Sequence, residues 1–170
     1  MRLSFSEALQ REIPENYQGV EQCDIINQWL THHPDQESEC RDLLKLILMQ
    51  AKDLSASDVD LGAPGCNNKI WMRIYGNKKP VEDLGVFSCT ETNSLILSWL
   101  TPSQRLRLFT QKSLDFPISF YINGKETRFR GTAFFDRNYL GANFRRINDF
   151  LYSMEDLGIP EPIANRMNLK

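Results

Sequence analysis

The chain has no long hydrophobic run, no phosphate-cradling glycine loop and no clustered metal ligands, and each absence removes a class of function. Its longest uninterrupted apolar stretch is Leu46-Ile47-Leu48-Met49, far short of the roughly 20 residues a membrane-spanning helix needs. Met1-Arg2-Leu3 leads into Ser4, Glu7 and Glu12, not into the apolar segment of a secretory signal. A cytoplasmic protein is expected. Gly-x-x-x-x-Gly-Lys-Ser/Thr, the loop whose amides hold nucleotide phosphates, occurs nowhere in the 170 residues. Gly62-Ala63-Pro64-Gly65 is no substitute, because its central proline and lack of a following helix start deny phosphate the amides it needs. Cys23, Cys40, Cys66 and Cys89 form no Cys-x-x-Cys pair, and His32-His33 beside Cys40 is a poor zinc set. Reduced structural or surface thiols are expected, and no metal. Strong charge of one sign is also missing. A net charge of −2 argues against a nucleic-acid-coating or membrane-surface protein, and the scattered tryptophans offer bases no stacking platform.

What remains is an ordinary globular composition, 41% apolar and 25% charged, in a chain long enough for one cored domain with an appendage. Residues 1–42 are expected to be that appendage: a short helix near Ser4, a second over 23–30, and a polar linker over 32–39. Deleting them should leave a cooperatively folded domain. Leu43, Leu44, Ile47, Leu48 and Ala51 follow helical spacing. Residues 54–61 read as a first strand with Val59 and Leu61 on one face, and 70–75 as a second. Helices follow over 93–100 and from Thr101-Pro102-Ser103-Gln104, a threonine cap, a proline at the first position and a glutamine that closes a capping box. Strand-like runs at 118–122 and 127–135 flank Asn123-Gly124, which predicts a hairpin with a type I′ turn. A strand at 141–147 is expected to pair back after a loop through residues 136–140. A helical turn at 153–158 and a final helix at 162–168 complete the reading. The class is α+β with a mainly antiparallel sheet.

Ala56-Ser57-Asp58 after a helix, Met72-Arg73-Ile74-Tyr75-Gly76, Gln104-Arg105 leading to Leu114-Asp115-Phe116, Arg128-Phe129-Arg130, Phe144-Arg145, and Met154-Glu155-Asp156-Leu157-Gly158 occur in this order. Over residues 43–168, that succession resembles the N-terminal domain of the type IV pilus and type II secretion ATPases, the PilT/PilB/GspE family. The resemblance implies a PAS-like domain over 43–150 and a linker segment over 151–170 leading to an ATPase core. The chain reaches Lys170 about where that core would begin, so the Walker A and Walker B elements are absent, and a fragment or a short paralogue is expected. It departs from the family at Asp60, where a histidine is usual, and at Asn138 beside Arg137, where an arginine is common. The subgroup, whether pilus extension, pilus retraction or secretion, stays open.

The arginines carry the chemistry. Alternation puts Arg128, Arg130 and Thr132 on one face of their strand and Phe129, Gly131 and Ala133 on the other. Guanidinium groups grip phosphate oxygens in a fixed fork and keep their charge at any relevant pH. By the resemblance, two arginines of this domain reach toward nucleotide phosphates held by the core, and they fall on Arg130 and Arg145. Arg128, Arg146 and Arg73 are weaker candidates. Arginine on an open sheet face is also commonly solvated or paired with a local carboxylate. Apart from the core and its nucleotide, Arg130 and Arg145 are expected to be exposed and mostly without carboxylate partners. Asp58 reads as structural, bonding local backbone amides.

The resemblance further implies a regulatory, subunit-contact domain of a homohexameric motor, not an enzyme by itself. ATP and Mg would belong to the full-length protein. Its partners would be the core of its own and neighbouring subunits and other secretion or pilus components, at the cytoplasmic face of the inner membrane through those partners, with no nucleic acid. The alternatives are a free-standing PAS-like module that binds a ligand or protein in an apolar cavity, and a nucleic-acid binder using Arg128, Arg130, Arg145 and Arg146, which the acidic balance disfavours.

Overall fold

The computed structural model describes residues 4–13, 17–122, 124–148, 154 and 158–167. Its elements run α1 (Ser4–Glu12), α2 (Gly19–His32), α3 (Pro34–Asp53), β1 (Ala56–Gly62), β2 (Trp71–Ile74), β3 (Asn77–Pro80), α4 (Cys89–Ser98), α5 (Pro102–Gln111), β4 (Ser113–Ile122), β5 (Lys125–Asp136), β6 (Tyr139–Ile147) and α6 (Glu161–Met167). The strands form one six-stranded antiparallel sheet in the order β3-β2-β1-β6-β5-β4. The expected α+β class is what forms.

Period-two alternation gives the sheet two unlike faces. Leu114, Phe116, Ile118 and Phe120 of β4, Phe129 and Ala133 of β5, and Leu140, Ala142 and Phe144 of β6 are buried. They meet Leu44, Ile47, Leu48 and Ala51 of α3 and Leu95, Ile96 and Leu97 of α4 in one core. In β1 the alternation is broken by a bulge between Ala56 and Asp58. One extra residue shifts the parity, so Ala56 and Val59 both reach the core while Asp58 and Asp60 turn to the opposite face.

Local chemistry explains several boundaries. Ser88 caps α4 and Thr101 caps α5, each in a reciprocal capping box with Glu91 and Gln104; the second is the one read from the sequence. The β5–β6 connection is tighter than the expected loop. Arg137 and Asn138 both take positive φ, the backbone of a two-residue type I′ turn. Tyr75 and Gly76 do the same between β2 and β3, a hairpin the sequence hid because β3 reads Asn-Lys-Lys-Pro. The predicted turn at Asn123 lies outside the described residues, as do Glu155, Asp156 and Leu157 of the segment expected to lead away from the domain.

The N-terminal region differs most from expectation. Residues 32–39 are not a polar linker: Pro34 occupies the first turn of α3, and the helix continues unbroken to Asp53, so the boundary set at residue 42 falls inside it. Of the polar residues 35–39 that resembled a linker, only Asp35 and Ser38 are exposed, while Gln36, Glu37 and Glu39 are half-buried at the start of the helix. Phe5 and Leu9 of α1 and Ile26 and Leu30 of α2 are at most 1% exposed and share the core. Arg105 of α5, itself buried, ties α2, α3 and α4 together. Its Nε donates to the Leu97 carbonyl at 2.9 Å, Nη1 to Asn27 Oδ1 at 3.0 Å, and Nη2 to Glu37.

Burying one such side chain is worth about 1.5–3 kcal/mol against a net stability of about 5–15 kcal/mol for a domain. Removing residues 1–39 is therefore expected to abolish cooperative unfolding, measured by circular dichroism in a urea titration. Gly131 gives a second check: a Cβ there would lie 2.7 Å from the Phe116 ring. Gly131→Ala should cost about 1–3 kcal/mol through overpacking, read as a lowered urea midpoint.

Candidate functional site

The helices cover one face of the sheet. The other carries charge, in rows set by strand register. One row runs Lys78, Arg73, Asp58, Arg145, Arg130 across β3, β2, β1, β6 and β5. The next runs Asp60, Asn143, Thr132, Asp115 across β1, β6, β5 and β4. Arg130, Thr132, Asn143 and Arg145 line a shallow depression of ≈ 190 Å³ between the rows.

Arg130 and Arg145 are thus brought side by side, directly opposite one another on β5 and β6. Both are exposed as expected, with side chains 66% and 70% accessible. The expectation that they lack carboxylate partners does not hold. Arg145 Nε donates to Asp58 Oδ1 at 2.8 Å, and Arg130 Nη2 donates to Asp115 Oδ2. The cause is register: Asp58 sits opposite Arg145, and Asp115 lies one step diagonally from Arg130, close enough for a long side chain to reach.

Among the described residues no backbone amide donates to Asp58; its partners are side chains. It is 8% exposed, with Arg145 on one side and Arg73 Nε at 3.6 Å on the other, and the Ser57 hydroxyl donates to its Oδ2 at 2.8 Å. Burial alone would raise its pKa; the hydrogen bonds from Arg145 and Ser57 and the two arginine charges outweigh this, so the net shift is downward. Arg145 moves the other way for the same reason, its hydrogen bond and charge pairing with Asp58 raising its pKa. Asp115 is held low first by the Thr132 hydroxyl and then by Arg130. Asp60 completes the set, accepting from Asn143 Nδ2 at 2.9 Å and pairing with Lys78 at 3.0 Å.

The weaker candidates separate. Arg73 belongs to the cluster through Asp58, and its Nη1 also donates to the Gly76 carbonyl at 3.0 Å. Arg128 shares the face of Arg130, two residues along β5, and among the described residues makes no ion pair. Arg146 is on the helix side, half-buried, its Nη1 reaching the Lys52 carbonyl at the end of α3 at 3.4 Å. It satisfies a helix terminus and does not join Arg130 and Arg145. The residues that sequence reading missed are the acceptors, Asp115 and Asp60, together with Asn143. Each lies in an alternating strand, but nothing local says which arginine it faces.

Two further depressions, ≈ 240 Å³ and ≈ 440 Å³, flank Cys89 and Tyr139. Their walls mix the polar Gln22, Asn67, Asn68, Ser88 and Thr92 with Gly62, Ala63, Pro64 and Tyr139. Among the described residues no cluster of three or more potential metal ligands occurs, and no helix is long and apolar enough to cross a membrane.

No protein-family model matches the chain, and no curated protein matches it significantly. Among solved structures, the pilus retraction motor PilT, crystallised with bound ADP, is similar at a TM-score of 0.56 and 27% identity, over 69% of this chain and 32% of that one. The Legionella pneumophila ATPase DotB is similar in fold at a TM-score of 0.53 and 22% identity, over 74% of this chain and 34% of that one. The chain spans about a third of the length of either. The resemblance read from the motifs, to one part of a pilus or secretion motor ATPase, is borne out.

The two arginines should differ in what they do for stability. Arg145→Ala strips the nearly buried Asp58 of its best partner, whereas Arg130→Ala leaves Asp115 exposed to water; calorimetry should show the larger fall in melting temperature for Arg145→Ala. Because the folded pKa of Asp58 lies below the ordinary 3.8, its contribution is complete above about that pH and is lost as pH falls through the lower folded value. Asp58→Asn should therefore be destabilised at pH 7, with the gap from the parent closing at acid pH.

Proposed function

We propose that this chain is a nucleotide-sensing and subunit-contact domain of a hexameric pilus or secretion motor, PAS-like in fold and not catalytic alone. In this reading Arg130 and Arg145 reach phosphates of ATP held by the core, and ATP and Mg are cofactors of the full-length motor. The domain would pack on the core of its own or a neighbouring subunit in the cytoplasm, and move as a unit when nucleotide is bound or released.

The observation that carries the reading is the direct opposition of Arg130 and Arg145 across β5 and β6. Like charges placed opposite one another work against a sheet, and here each is offset by an aspartate of its own, Asp115 for Arg130 and Asp58 for Arg145. A phosphate between two guanidiniums turns that repulsion into a fork, strongest where water is excluded. The likeness to PilT, whose structure holds ADP, supports the choice of a nucleotide as the anion. The carboxylate partners do not exclude the role, because both arginines keep most of their surface open and each guanidinium has more donors than its aspartate uses.

Two measurements test this. The purified 170-residue chain should show no Mg-dependent ATP turnover above background; turnover that one substitution in it abolishes would overturn the reading. In a full-length motor, Arg130→Ala or Arg145→Ala should lower turnover on the order of 10³-fold, the loss typical of an arginine finger. Normal turnover in both variants would end the proposal.

A further inference from the structure

The four residues lining the depression are all engaged by carboxylates, but not equivalently. Arg145 is held by Asp58, and Asn143 by Asp60. Both aspartates belong to β1 in the middle of the sheet, with further partners in Ser57, Arg73 and Lys78. Arg130 and Thr132 share a single acceptor, Asp115: Arg130 Nη2 donates to its Oδ2 and the Thr132 hydroxyl to its Oδ1 at 2.6 Å. Asp115 belongs to β4, an edge strand, and half of its side chain is in water, against 8% for Asp58. Withdrawing this one side chain frees two of the four donors together.

We propose that Asp115 is a displaceable internal counter-ion beside the Arg130–Thr132–Asn143–Arg145 depression, holding two of its donors, so that a phosphate or pyrophosphate group enters by exchange with it, while Asp58 stays in place and positions Arg145. The inference rests on the reading above for the class of anion. A carboxylate that takes one hydrogen bond from a guanidinium and one from a hydroxyl uses the same donors that two oxygens of a phosphate would use. An exposed ion pair is worth little because water competes for both partners, so the exchange costs little on the protein side. The buried Asp58 is held on three sides and has no such freedom. Asp115 therefore sets the threshold for anion entry, keeping the two opposed arginines apart from weak or adventitious anions until a multiply charged group outcompetes a single carboxylate.

The test uses the chain itself and inorganic pyrophosphate at about 0.1 M salt, with binding followed by NMR through the amide signals of Thr132 and Asn143. Asp115→Asn should bind about threefold or more tightly than the parent, since the competing charge is gone, and adding Arg130→Ala should erase the gain. Asp115→Ser serves the same purpose if the asparagine itself bonds Arg130. Glu126→Gln removes the same charge from the same hairpin, about 13 Å along β5 from Arg130 and beyond a Debye length at 0.1 M salt; it should bind as the parent does. Unchanged or weaker binding by both Asp115 variants, or an equal gain in Glu126→Gln, would overturn the proposal. That failure is separable from failure of the motor role: the motor role falls with normal turnover in the arginine variants, whatever pyrophosphate does.

Discussion

One-sided burial is the constraint on which the rest depends. A six-stranded sheet with helices on one face must send every second side chain into the core, and the residues between them must live without cover. Here that second set is dominated by ions, and their arrangement follows from register alone. The bulge at Ser57 is the decisive irregularity. Without it, Ala56 and Asp58 would share a face, and either the core would receive a carboxylate or the charged row would lose its centre. With it, Asp58 sits between Arg73 and Arg145, and the guanidiniums that neutralise it also shield it from water.

The helical side obeys a different rule. The five helices α1–α5 converge on shared apolar residues, and one buried guanidinium, Arg105, satisfies acceptors from three of them. A buried ion pair is weak evidence for stability but strong evidence for geometry, since breaking it leaves a charge stranded. Arg41 adds a second tie, donating to the Ser98 carbonyl through two nitrogens at 3.0 and 2.9 Å, while Trp99 donates back to the Arg41 carbonyl. The N-terminal helices are thus fastened by polar bonds of fixed direction as well as by packing.

How much of this was legible depends on where each signal resides. Features written within a few residues could be read: the Thr101–Gln104 capping box, the alternation of β4 and β5, and the outward direction of Arg130. Features that need partners far apart in the chain could not. The contact of Arg105 with Asn27, the pairing of Arg130 with Asp115, and the shared row of Arg145 and Asp58 depend on which strands become neighbours. Residues 32–39 misled for a related reason. A polar first turn of a helix and a linker can have the same composition, and only the apolar residues later in α3 tell them apart. Arg146 misled through parity, since its neighbour Arg145 lies on the opposite face of the same strand.

The helix α3 has a mechanical consequence. Twenty residues of α-helix make a rod of about 30 Å, and only Leu54 and Ser55 stand between its end and Ala56. Ser55 holds a positive φ, the Leu54 amide closes onto Gln50, and Arg146 and Lys52 fasten the junction to β6 and β5. Such a joint has little slack. The far end is held as well, Glu37 by Arg105 of α5 and Arg41 by the Ser98 carbonyl at the end of α4, so the rod is fixed at both ends and sets the reach from the helical layer to the strand that carries Asp58.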